Sequence, residues 1–180
     1  MRKTNSMPID SIKWKDKGDE LLDKGFFEDS IICFETALEL SPDDIDLWIN
    51  RGLALSNLGS KEKAIKSFDK AIELNPDDTL ALNNKGVALD DLGRHREAIG
   101  CYDRVIDIDP NDADAWSNKG VSFGLLGKFD RAIECFEAAI QIDASNAPAW
   151  YNKGMTQKVL CHNDEAEIAL ARARELGYQE

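Results

Sequence analysis

Apolar positions recur along the chain at spacings of three and four, the period of a helix with one buried face. Trp48, Leu55 and Leu58 mark one such stripe, and Ala64, Ile65, Phe68, Ala71 and Ile72 mark the next. This pair of stripes repeats along the chain. Gly18, Gly52, Gly86, Gly120 and Gly154 stand 34 residues apart. Trp14, Trp48, Trp116 and Trp150 lie four residues before their glycines, with Leu82 in the third slot. Gly25, Gly59, Gly93 and Gly127 follow seven residues after them. Small residues recur at Ser30, Ala64, Ala98, Ala132 and Ala166, and aromatics at Phe34, Phe68, Tyr102 and Phe136. The pattern predicts a lead of residues 1–10 and five repeats, 11–44, 45–78, 79–112, 113–146 and 147–180, each of two helices. Positions below are counted from the first residue of each repeat.

The punctuation agrees with the stripes. The second glycine, at position 15, falls just past the first helix, where a left-handed residue is wanted. Pro42, Pro76 and Pro110 stop the second helix. The residues after them, Asp43, Asp44, Asp77, Asp78, Asn111 and Asp112, can cap the helix that follows. The fourth repeat has Ala144 in place of proline; there Asn146 can cap, and Pro148 suits a first turn. Glycine at position 8 and alanine at positions 20 and 27 let two helices approach closely, and the aromatics at positions 4 and 24 fill the space beside them.

W-x3-G, then G, A, F/Y, A and P at a 34-residue period resembles the tetratricopeptide repeat family, over 170 of the 180 residues. The resemblance implies an all-α fold: a right-handed α-solenoid, a superhelix of antiparallel helix pairs whose first helices line a concave groove. It also implies a protein–protein interaction module that binds a peptide or helix of a partner and acts as adaptor or scaffold for complex assembly. The repeats of that family are themselves not catalytic.

Position 6 carries Asp16 and then Asn50, Asn84, Asn118 and Asn152. Each amide can donate and accept. An extended peptide rises about 3.3 Å per residue and neighbouring helices sit about 8–10 Å apart, so one Asn per repeat can hold the backbone at about every third peptide residue. The same ladder can instead bond neighbouring helices and order the stack. By resemblance, positions 2, 5, 9, 12 and 13 also face the groove. They offer Ile12, Ile49, Leu53, Leu80, Val87, Val121, Leu125, Tyr151, Met155 and Val159, with Asp19, Asp23, Asp46, Asp90, Asp91 and Asp114. Lys15 and Lys158 are the basic residues there. Some relatives grip acidic C-terminal tails with Lys, Asn, Asn, Lys and Arg over three repeats, a set that no three-repeat window supplies. The expected ligand is therefore apolar and neutral-to-basic, unless the aspartates are simply a solvated face. Position 7 is cationic throughout (Lys17, Arg51, Lys85, Lys119, Lys153), either snorkelling beside acids or forming an anion-binding stripe.

Solenoid repeats contact only their neighbours, so end repeats need polar outer faces. The first repeat has Lys13, Glu20 and Lys24 where later ones have Leu, Ala, Ser or Thr. The last has Gln157, Glu167 and Arg174 where earlier ones have Leu, Ile or Phe, which reads as a self-made cap or as a repeat capped by a partner. Polar ends favour a monomeric binder. A structural scaffold that self-associates through its terminal repeats or convex face is the alternative.

Composition narrows the partners. Hydrophobic residues are 43% and charged residues 31%, the balance of a folded chain. The net charge of −12 disfavours nucleic acid and anionic membrane surfaces. No apolar stretch approaches the roughly 20 residues that cross a bilayer, and Met1–Asp10 has no apolar leader core. A cytoplasmic location follows as the expectation. Cys33, Cys101 and Cys135 share position 23, roughly 10 Å apart in successive repeats and beyond disulfide reach. Cys161 beside His162 lacks further ligands, and His95 sits in a turn with no partner in view. No metal, cofactor or enzyme activity is expected.

Overall fold

The computed structural model describes residues 9–178; the lead residues 1–8 and the final 179–180 lie outside the described residues. Ten helices follow one another: α1 (Ile9–Asp23), α2 (Phe27–Leu40), α3 (Ile45–Asn57), α4 (Lys61–Leu74), α5 (Thr79–Asp91), α6 (His95–Ile108), α7 (Ala113–Leu125), α8 (Phe129–Ile142), α9 (Ala147–Val159) and α10 (Asn163–Glu175). The described residues are all-α, in helix pairs that pack in consecutive order. α1 starts two residues inside the expected lead. Asp10 favours its first turn, and buried Ser11 Oγ donates to the carbonyl of Ala37 at 3.1 Å, fastening that turn to α2.

The chain forms two compact halves, one ending at Ala88 and one beginning at Leu89. In the first, α1 packs on α2, α2 on α3 and α3 on α4. In the second, the same succession runs from α6 to α10.

The connections are made by local chemistry. α1 closes with Gly25 N–H on the carbonyl of Leu22 (3.0 Å) and Phe26 N–H on that of Leu21 (2.9 Å), the paired bonds of a Schellman turn. Gly25 has φ of 78°, and Gly59, Gly93 and Gly127 repeat it. In the fifth repeat Cys161 takes this left-handed place with φ of 61°; an L-residue there costs about 1–2 kcal/mol. Asp44, Asp78, Asp112 and Asn146 cap the next helices, accepting from the N–H three residues on at 2.8–3.0 Å. Their predecessors Asp43, Asp77 and Asn111 fall in the turns instead.

Within a pair, the first-helix glycine receives the second-helix aromatic. A Cβ built on Gly18, Gly52 or Gly120 would stand 2.5, 2.4 or 2.6 Å from the ring of Phe34, Phe68 or Phe136. All three rings are buried.

Between pairs, one set of contacts recurs. The position-7 cation reaches back to a carboxylate at position 25 of the preceding repeat: Arg51 to Glu35 (2.6 Å), Lys85 to Asp69 (2.6 Å), Lys119 to Asp103 (2.6 Å) and Lys153 to Glu137 (2.8 Å). Arg51, Lys119 and Lys153 also lie over Trp48, Trp116 and Trp150, at 5.9, 4.9 and 5.9 Å from the ring centres. Each of these indoles donates Nε1–H to a carbonyl at position 32 of the preceding repeat, on Pro42, Pro110 and Ala144. Four members of the cationic row are thus ion-paired, and three of those also lie over a tryptophan.

The end faces are partly as expected. Lys13, Glu20 and Lys24 are exposed, as are Glu167 and Arg174. Gln157 departs from the expectation: it is buried at 6% exposure, with Oε1 lacking a hydrogen-bond partner. Position 11 packs toward the preceding pair, which the fifth repeat has, and not toward a following one. Leu55 and Phe123, at the same position, are buried for the same reason.

Two substitutions test this packing with opposite signs. Gly52→Ala drives a Cβ into Phe68 and should lower unfolding free energy by about 1–3 kcal/mol despite alanine's better helix propensity. Gln157→Leu removes an orphaned carbonyl and should raise it by about 1–2 kcal/mol. Urea titrations followed by circular dichroism read both.

Candidate functional site

The expected groove residues divide between the halves. In the first half, Asn50 Nδ2 donates to Asp19 Oδ1 at 2.7 Å, joining the first and second repeats. Burial pushes the Asp19 carboxyl up, and the Asn50 hydrogen bond partly opposes it. Asn84 Nδ2 turns back to the carbonyl of Leu80 on its own helix, at 2.8 Å. Leu53 is half-buried, and Val87 is 42% exposed. Ile49, named as a groove residue from its position, is buried at 2% and is core.

In the second half, Val121, Asn152 and Met155 come together. With Leu125, Phe129 and Val159 they line an open, mostly apolar hollow of about 230 Å³ between α7 and α9. Leu125 and Val159 are 58% and 59% exposed, so apolar surface stands ready for contact. Gly124 also lines the hollow, and nothing lies within 4 Å of where its Cβ would be. The amides of Asn118 and Asn152 make no hydrogen bond among the described residues, which leaves their donors and acceptors available.

Three residues have other duties. Asp90 is a hub: it takes His95 Nδ1 at 2.8 Å, Tyr102 Oη–H at 3.2 Å and Ser122 Oγ–H at 2.6 Å. His95 opens α6 with this partner, contrary to the expectation of none. Burial, and then the Asp90 charge, push the Tyr102 phenol far above its ordinary range. Asp114 is exposed and accepts Asn146 Nδ2 at 3.2 Å. Tyr151 stacks on Tyr178, ring centres 4.5 Å apart.

Sequence reasoning missed four hollow-lining residues, Gly124, Phe129, Phe136 and Thr156. Gly124 and Phe129 occupy positions 12 and 17, where a side chain at the end of the first helix meets one at the start of the second. The second and third repeats hold bonded polar pairs there, Ser56 with Lys61 (3.1 Å) and Asp90 with His95, while the first has Leu22 with Phe27 and the fifth Lys158 with Asn163. In the fourth repeat glycine leaves the space open and phenylalanine makes its floor apolar. The joint change at these two positions was the available signal.

None of the four cysteines is joined in a disulfide. Burial pushes the Cys135 thiol up to about 11 and the Cys33 thiol upward. Among the described residues no three His, Cys, Asp or Glu side chains cluster as metal ligands, and no helix is long and apolar enough to cross a membrane.

Comparison with known proteins bears on the whole arrangement. The tetratricopeptide repeat model matches residues 45–78, 79–112 and 113–146, and a second repeat model of the same kind matches 18–59. No curated protein matches the chain. Among solved structures, MamA 41-end from Desulfovibrio magneticus RS-1 is similar in fold, at TM-score 0.84 and 21% identity over 95% of this chain and 97% of that one. A crystal structure of MamA has TM-score 0.78 and 26% identity over 88% of this chain and 93% of that one.

Two measurements probe the site's chemistry. Brief iodoacetamide treatment of the folded protein at pH 8, read by intact mass, should add one group, on exposed Cys161, because the raised thiols of Cys33 and Cys135 stay protonated and covered and Cys101 is buried as well. Asp90→Ala should lower unfolding free energy by about 1–3 kcal/mol by orphaning buried donors, measured by urea titration.

Proposed function

The chain belongs to the tetratricopeptide repeat family, and from that membership we propose that it binds a peptide or helix of a partner protein on its first-helix surface and so helps assemble a complex. The family supports the coarser role of a protein-interaction scaffold; the groove-binding mode is our own reading. The observation that carries it is the hollow between α7 and α9. An apolar depression rimmed by exposed Leu125, Met155 and Val159, with an uncommitted amide from Asn152, suits one large apolar side chain and a hydrogen bond to the backbone beside it. Asn118 would serve the backbone in the same way. Asn50 is engaged with Asp19 and acts in stacking, so the ladder divides between the two roles weighed for it. Exposed Asp91 and Asp114 set the ligand preference as neutral-to-basic. The protein works as a monomer in this reading, with no catalytic step and no cofactor.

Self-association is the second reading, favoured by Ile168, which stands 69% exposed on α10. Light scattering separates the two, since self-association makes the mass grow with concentration.

The test begins with selection from a peptide library, where apolar, neutral-to-basic sequences should win and a victory for acidic peptides would sink the reading. For a selected peptide, Asn118→Ala with Asn152→Ala should weaken binding about tenfold, two backbone hydrogen bonds at about 0.7 kcal/mol each. Met155→Asp should weaken it at least as much, with circular dichroism unchanged. Fluorescence anisotropy reads the affinities; unaltered binding by both variants removes the hollow from the site.

A further inference from the structure

The contacts between repeats have two parts, one receiving and one donating. The receiving part is a tryptophan at position 4 (Leu82 in the third repeat) and a cation at position 7, with a residue at position 11 that is apolar except for Gln157. The donating part is the second helix of the preceding repeat, with its position-25 carboxylate and, seven residues later, a main-chain carbonyl. In the first repeat the receiving part is complete, and among the described residues nothing donates to it. Lys17 lies 5.4 Å from the Trp14 ring centre, as its counterparts do. Among the described residues, neither Lys17 Nζ nor Trp14 Nε1 has an ion pair or hydrogen bond. Leu21 is only half-buried, where Leu55 and Phe123 are 4% and 3% exposed. A hollow of about 320 Å³ remains between α1 and α2, lined by Trp14, Lys17, Leu21, Asp29, Ile32 and Cys33. Ile32 on its rim is 59% exposed.

We propose that this hollow docks one amphipathic helix of a partner protein, which supplies what a preceding repeat supplies elsewhere: a carboxylate for Lys17, a carbonyl for Trp14 Nε1, and apolar side chains over Leu21 and Ile32. The four internal ion pairs are the template for its charge. The chain's own segments do not fit that template. α10, the helix a second copy stacked end to end would present, has Ala171 at the carboxylate position, and residues 1–8 carry Arg2 and Lys3 with no acid. The margin of the hollow also selects against a purely apolar helix. Lys13 and Glu20 are exposed where the second repeat has Leu47 and Ala54, both at 0% exposure. The partner's flank on that side must therefore be polar. Lys13 and Lys24 already pair with Asp10 and Glu20 on α1, so Lys17 is the cation that draws an acidic side chain of the partner, with Asp29 the opposing charge on the far side.

The probe is a peptide of residues 129–144, side-chain-linked to hold it helical, with Cys135→Ala and a fluorophore. Its Glu137 already pairs with Lys153 in the chain. Fluorescence anisotropy against the full chain should show saturable binding. Glu137→Gln in the peptide or Lys17→Met in the protein should each weaken it about fivefold, and the two together little more than either alone, the signature of a coupled pair. Ile32→Glu should abolish it. Asn118→Ala with Asn152→Ala should leave it unchanged, which separates this face from the one under Proposed function. Absence of saturable binding, or binding indifferent to both Glu137→Gln and Lys17→Met, overturns the proposal. So does concentration-dependent growth in light scattering that Lys17→Met abolishes, since the occupant would then be a second copy.

Discussion

An aromatic ring lies where a β-carbon would otherwise be. Phe34, Phe68 and Phe136 press against Gly18, Gly52 and Gly120 at distances that no side chain on the first helix would allow. This contact sets how near the two helices of a pair come, and the other layers of the structure are built on that spacing. It brings the small residues at positions 20 and 27 to zero exposure, as with Ala64 and Ala71. It also fixes where the first helix directs the rest of its surface, so that positions 4, 7 and 11 turn back toward the preceding pair and the hollow of the second half opens on the first helices.

The junctions add direction to stacking. Apolar packing alone tolerates some sliding, because burial is not directional. An ion pair, an indole hydrogen bond and a cation over a ring, all converging on one tryptophan and one cation, define a single register. Lys119 shows the combination: it meets Asp103 at 2.6 Å and Trp116 at 4.9 Å. Such half-exposed pairs contribute modestly to stability one by one. Their effect is selective, and it is why the unfilled first position has a definable complement.

Much of this was legible in the sequence because the governing interactions are local. A glycine at position 15 reports a left-handed residue, and an Asp or Asn before a helix reports a cap; neither depends on distant chain. The second residue of each candidate pair does the capping, a choice made by turn geometry that composition does not reveal. What escaped was side-chain traffic between helices. Asp90 looked like groove lining and is held by three donors from α6 and α7. Gln157 looked like a solvated end because its position was assigned the wrong neighbour. Gly124 and Phe129 went unnoticed because an open space is a property of two positions read together.

The same locality governs how the structure is reached. The carboxylate and cation of a junction, as in Glu35 and Arg51, are 16 residues apart, and Asn146 and Asp114 are 32 apart. Neither pairing has to close a long loop before it begins to stabilise, so the entropic barrier to each is low. Helix pairs can order one after another, each offering the next a formed surface, and folding has several possible starting points along the chain.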